Sequence, residues 1–124
     1  MNPETVGIYR VAGMEGYGAL RAPFNPDAPY PELAATAEVD PTNFVFREFR
    51  HFLLLLGWDA LRHGTPEWNP FGWLIQPGQT VVLKPNLVVS EHPAGDAMIR
   101  YTDTDGVLVR CVAEYVAKAL AGPS

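Results

Sequence analysis

The sequence predicts an α/β protein: an incomplete Rossmann-like sheet, parallel or mixed, with two main helices and long Pro/Gly-rich loops. Three observations predict it. Residues 80–93, TVVLKPNLVVSEHP, form an apolar run of the kind that is buried on both faces of a parallel sheet. Two later stretches, FVFREFRHFLLLLG and DGVLVRCVAEYVAKALAG, repeat apolar residues at helical spacing. Between the first residues and the first of these helices, prolines and glycines crowd residues 12–40.

Taken in order, TVGIYRV (5–11) alternates well enough for a short strand. Residues 12–40 then carry Pro23, Pro26, Pro29 and Pro31 together with Gly13, Gly16 and Gly18, which remove donors or loosen φ in ways no regular element tolerates. A loop this long exceeds ordinary connections, so it is a lid draped on the surface, a segment wrapped on a partner, or partly disordered. Asp40-Pro41 opens a helix, because Asp accepts the first free N–H groups and Pro at the first helical position needs no donor.

On a helical wheel Val45, Phe49, Phe52, Leu53 and Leu56 form the apolar face of that helix. Arg47, Glu48, Arg50 and His51 lie opposite, and Gly57 is the left-handed stop. Leu54 and Leu55 fall off the apolar stripe, which implies a last turn buried all round or docked on another chain. Residues 58–73 read as a structured loop rich in aromatics. Gln76-Pro77-Gly78-Gln79 is a reverse turn that launches the strand TVVLK.

In the final helix Leu108, Cys111, Val112, Tyr115, Val116 and Ala119 share one face, while Arg110, Glu114 and Lys118 stack at i, i+4, i+8 on the other. Thr102 or Thr104 can cap its start and Gly122-Pro123 ends it. The tally is a single partial α/β domain over 1–124, the opening part of a sheet domain whose next parallel strand does not follow.

Composition narrows the function classes. The chain has 124 residues, a net charge of -5 and nine basic residues without a cluster, so nucleic acid is not an expected partner. The longest apolar run, Phe52–Leu56, is far short of the roughly 20 residues that span a bilayer. MNPET lacks the features of a signal peptide, which makes a soluble cytoplasmic protein the expectation. A lone Cys111 within a helical pattern reads as a small core hydrophobe rather than a reactive thiol.

Lys84-Pro85-Asn86 interrupts the apolar run at the carboxyl end of TVVLK, where open α/β sheets bind ligands. An ammonium beside a rigid turn, with Asn86 able to donate and accept, suits a carboxylate or phosphate. The structural alternative pairs Lys84 with Asp103 or Asp105 to pin strand to helix. Glu91, His92, Asp96, Asp103 and Asp105 offer metal-ligand chemistry, but their spacing matches no metal loop, and acidic residues are favoured at a helix start by the dipole alone. His51 and His63 lack partners at ligand spacing, and Ser90 lacks the glycines of a nucleophile elbow. Trp58, Trp68 and Trp73 either line a ligand surface or fill the small core of their own loop.

GTPEWNPFGWLIQPGQTVVLKPNLV followed by TDGVLVRCVAEYVAKAL resembles the N-terminal part of the domain-of-unknown-function 362 family, over residues 64–121. The matching positions are Pro77 and Gly78, then Lys84, Pro85 and Asn86, then Thr104, Asp105 and Gly106. Asp105 stands where many members of that family have His. The resemblance implies an α/β fold but no general activity. The iron–sulfur clusters fused to some members do not carry over, since one Cys cannot ligate one.

Two functions follow as expectations. In the first, Lys84, Asn86, His92, Thr104 and Asp105 hold an anionic small molecule, with catalytic groups, cofactor and reaction unassigned. In the second, a truncated non-catalytic subunit or remnant acts by docking, as a homo-oligomer or with a separate C-terminal half, through an unmade strand edge.

Overall fold

A computed structural model describes residues 6–11, 19–33, 38–88, 91–95, 98–99 and 103–122. Among them are two α-helices, α1 (Phe44–Leu55) and α2 (Gly106–Ala121), a short 3₁₀ turn (Ala60–Arg62), and no β-strand. The expected Rossmann-like sheet is therefore corrected: the described protein is two packed helices wrapped by irregular chain. A strand exists only when a neighbouring strand takes up its backbone groups. Neither 6–11 nor 80–88 has such a neighbour among the described residues.

The helix patterns do hold. α1 starts three residues later than Asp40-Pro41 suggests. Asp40 Oδ1 instead accepts from the Thr42 backbone N (3.0 Å) and Oγ1 (2.6 Å), a local turn that competes with helix entry, and Asn43 occupies the cap position. The helix closes as predicted, with Gly57 at φ 72°. There the Gly57 N–H donates to Leu54 O (2.9 Å) and Trp58 N–H to Leu53 O (3.4 Å). α2 is capped by Asp105, whose Oδ1 accepts from Val107 N (3.0 Å), so the cap is neither Thr104 nor Thr102; the latter lies outside the described residues. Pro77-Gly78 makes the expected turn, with Gly78 at φ 83° and Gln79 N–H on Gln76 O (3.2 Å).

The core forms where α1 and α2 meet and the 19–33 and 58–75 segments close over them. Phe46, Trp68, Val107, Cys111, Tyr115 and Ala119 are wholly buried. Tyr115 is the hub. Trp68 and Phe71 meet its ring edge-on at 5.6 and 6.3 Å, and Phe49 lies at 6.0 Å. Burial pushes the Cys111 thiol up to about 12, consistent with a core hydrophobe rather than a nucleophile.

Two details of the faces differ from the wheel. Phe46 and Arg50 are buried on α1 although the wheel leaves them off the apolar face, and on α2 Leu108 stays at the surface; Leu55, off that face in the wheel as well, is 60% exposed, so the last turn of α1 is not buried all round. Arg110 and Glu114 do pair, Nε to Oε1 at 2.7 Å, but Lys118 leaves the stack to donate to Pro66 O (2.6 Å).

The described part of the proline-rich stretch is neither lid nor loose chain. Leu20, Leu33, Glu32 and Pro26 are buried in it. Asn43 Nδ2 donates to Asn25 O (2.8 Å) and Asp40 N–H to Pro26 O (2.8 Å). Prolines suit this wrap: each presents an apolar ring and has no N–H to satisfy.

Candidate functional site

The corner at 84–105 comes together only in part. Asn86 and Thr104 are joined twice, by Thr104 N–H to Asn86 O (2.8 Å) and Asn86 N–H to Thr104 Oγ1 (3.0 Å), and Val88 N–H donates to Asp103 Oδ1 (2.6 Å). These bonds moor the extended segment to the start of α2. They also occupy the side chains assigned to a ligand: Thr104 holds Asn86, Asp105 caps α2, and His92 Nδ1 accepts from Ala94 N within its own turn (3.1 Å).

Lys84 is exposed and has no ion pair among the described residues, so its expected bridge to Asp103 or Asp105 is not formed. The three cavities described below are lined by other residues. Among the described residues no group of three His, Cys, Asp or Glu side chains is placed to hold a metal ion; Asp96 and Ser90 lie outside them.

The segment that carries Lys84 is itself the more unusual feature. Val82 is 83% exposed, Leu87 69% and Val88 61%, three aliphatic side chains clustered in one short run, while Val81 packs against the core. From Thr80 to Lys84 no backbone N–H or C=O has a hydrogen-bond partner among the described residues. Extended, apolar and unpaired, it has the properties of a free sheet edge.

Between the two helices and the 19–33 wrap lies a buried charge cluster that no periodicity in the chain marks. Arg50 donates to Glu32 through Nε (2.6 Å) and Nη2 (3.2 Å), and the Tyr115 hydroxyl donates to Glu32 Oε1 (2.9 Å). The guanidinium lies 4.0 Å from the Tyr30 ring centroid and 5.2 Å from that of Trp68. Burial opposes the Arg50 charge, yet the bonds to Glu32 leave its pKa raised; burial and the Glu32 carboxylate raise that of Tyr115. A closed cluster of this kind locks the 19–33 wrap to both helices. Its groups satisfy one another, which leaves nothing aimed at a substrate.

Three clefts open on the described surface. An apolar groove of about 570 Å³ runs between residues 7–11 and α1, walled by Phe44, Phe49 and Phe52 with Tyr9 at its rim. There the Tyr9 hydroxyl donates to Glu48 Oε2 (2.6 Å), the main reason the Glu48 carboxyl is held below its ordinary value. A more polar cleft of about 480 Å³ lies between residues 59–77 and the last turns of α2. A third, of about 340 Å³, lies beside Pro31 and Ala121.

Family models, curated proteins and solved structures were each compared with this chain, and none matches. The resemblance to family 362 drawn over residues 64–121 therefore has no support from these comparisons.

Proposed function

We propose that this chain acts by docking, and that the extended segment 80–88 pairs with the same segment of a second copy. The observation that supports it is the coincidence of exposed Val82, Leu87 and Val88 with unpaired backbone groups from Thr80 to Lys84. An added strand satisfies those groups and covers the apolar side chains in one step.

A second copy is the partner because the segment complements itself. In an antiparallel pair centred on Val82, Val81 faces Leu83 and Lys84 faces Thr80, so no two like charges meet and β-branched or aliphatic residues oppose each other. Pro85 ends the ladder, since it has no N–H to donate. The mooring of Asn86 and Val88 to Thr104 and Asp103 holds the segment extended beforehand, which lowers the entropy lost on pairing. A ladder this short makes a weak, concentration-dependent dimer.

Sedimentation equilibrium across a broad concentration range tests this. The wild-type chain forms a dimer at the upper end, and Val82→Lys, which places two ammonium groups face to face, returns it to monomer. A chain that stays monomeric throughout, or a dimer indifferent to Val82→Lys, overturns the reading. The rival, an anion held by Lys84, Asn86, His92, Thr104 and Asp105, has in its favour only the ammonium of Lys84, which has no ion pair among the described residues. Calorimetric titration with inorganic phosphate, compared with a Lys84→Met variant, separates the two.

A further inference from the structure

We infer that the cleft between residues 59–77 and the end of α2 binds a neutral pyranose sugar, with the Trp73 ring as its stacking platform. Trp73 is 57% exposed although its ring is held in place: Trp58 meets it edge-on at 5.3 Å, and Trp58 in turn meets Phe71 at 5.7 Å. An exposed indole that cannot fold away offers a flat apolar face at little cost in ordering. Apolar ring faces of this size complement the C–H face of a sugar, whose hydroxyl rim then needs polar partners around it.

The cleft supplies that rim. Asp59, Arg62, Asn69, Gln76 and Lys118 all line it. Asp59 is fixed at φ 55°, a left-handed backbone that is rare for a side chain other than glycine, and its carboxylate is oriented by Arg62 Nε (2.8 Å) and by Asn69 N–H (2.8 Å). The Asn69 side chain packs against Gly72 in the cleft wall, where a Cβ on residue 72 would lie 2.7 Å from Asn69 Nδ2. Gln76 is braced by Nε2 on Gly72 O (2.8 Å), leaving its own amide oxygen to accept.

Charge selects the class of sugar. Two carboxylates, Asp59 and Glu67, balance two cations, Arg62 and Lys118, and the cations are already engaged by Asp59 and by Pro66 O. The carbonyl end of α2 adds partial negative charge at Ala119 and Gly122. An anion therefore meets no net positive charge, and a neutral polyol with one apolar face fits the lining best. At about 480 Å³ the cleft accommodates one or two hexose units.

The test is titration of the intact chain with glucose, galactose, mannose and cellobiose, followed by tryptophan fluorescence and by amide chemical shifts in the 59–77 segment. At least one neutral sugar produces a saturable change centred on Trp73. Trp73→Ala weakens it about tenfold or more, while thermal melting confirms that this exposed position leaves the fold intact. Gln76→Ala, which removes the amide oxygen left to accept, weakens binding without moving the fluorescence of the free protein. No saturable response to any of the sugars, a response unaffected by Trp73→Ala, or tighter binding of glucuronate or glucose 6-phosphate than of glucose overturns the assignment. None of these outcomes depends on pairing at 80–88.

Discussion

The shell around Tyr115 and the run from Thr80 to Val88 are both rich in Val, Leu and aromatic or aliphatic neighbours, yet one is the inside of the molecule and the other is its outside. In the shell, Phe46, Trp68 and Val107 are fully buried, and the polar atoms of Glu32, Arg50 and Tyr115 satisfy one another. In the run, Val82 is 83% exposed and its backbone has no partner among the described residues. The difference teaches that apolar sequence selects burial only where a complementary surface exists. Helices carry their own backbone bonds and need only a side-chain partner, whereas an extended segment needs both a side-chain partner and a backbone one.

The largest effect is expected where that comparison is sharpest. Arg50→Ala leaves the Glu32 carboxylate buried without its counter-charge and should destabilise the chain by about 3–5 kcal/mol, measured by urea unfolding. The double variant Glu32→Leu/Arg50→Met should recover most of that loss, because no uncompensated charge is left. If the single change is harmless, the cluster is not what joins the 19–33 wrap to the helices. Trp68→Ala should cost a similar amount, about 3–5 kcal/mol, through the cavity left at Tyr115. Asp105→Ala, which removes the cap of α2, should cost about 1 kcal/mol. At the bottom of the scale, Val82→Lys should change monomer stability by no more than about 0.5 kcal/mol, since the side chain is already in water. A large loss there would show the extended run to be part of the core after all.

A pH titration sharpens the same contrast. Burial disfavours the charged form of His63, whose Nε2 is buried without a partner beside Trp68, and nearby Arg50 adds to the effect. Its folded pKa is thus below the ordinary 6.5, so the unfolded chain binds the proton first. Stability present above about pH 6.5 declines as pH falls below it. His63→Gln should flatten the slope between neutral pH and about pH 5. Glu48, held down by Tyr9, acts in a separate window below 4.5.

Much of the helical architecture could be read from the residues. Periodicity places both helices within a few residues, Gly57 and Gly78 take the positive φ assigned to them, and Cys111 is buried. Arg50 shows where a helical wheel stops being informative. It sits with polar neighbours in the pattern, and its burial depends on Glu32, eighteen residues earlier in a proline-rich stretch with no periodicity of its own. The ligand corner at Lys84, Asn86, His92, Thr104 and Asp105 was legible as a meeting of two segments but not as a site. The same residue types that bind ligands also cap helices and tether loops, and here Asp105 and Thr104 do the latter. Of the three tryptophans, Trp68 is buried and Trp73 is exposed, a distinction that no local signal in WDALRHGTPEWNPFGW carries.

By itself the sequence determined the two helices, their stops and the turn at Pro77-Gly78, because each follows from bonds and steric preferences among residues close along the chain. Only the tertiary structure decided that TVVLK has no backbone partner among the described residues and leaves Val82 at the surface, that Glu32 and Arg50 meet under Tyr115, and that Trp73 stands at the edge of a cleft. Those outcomes depend on which distant surface is there to meet each segment, and that is a property of the packed chain rather than of any stretch within it.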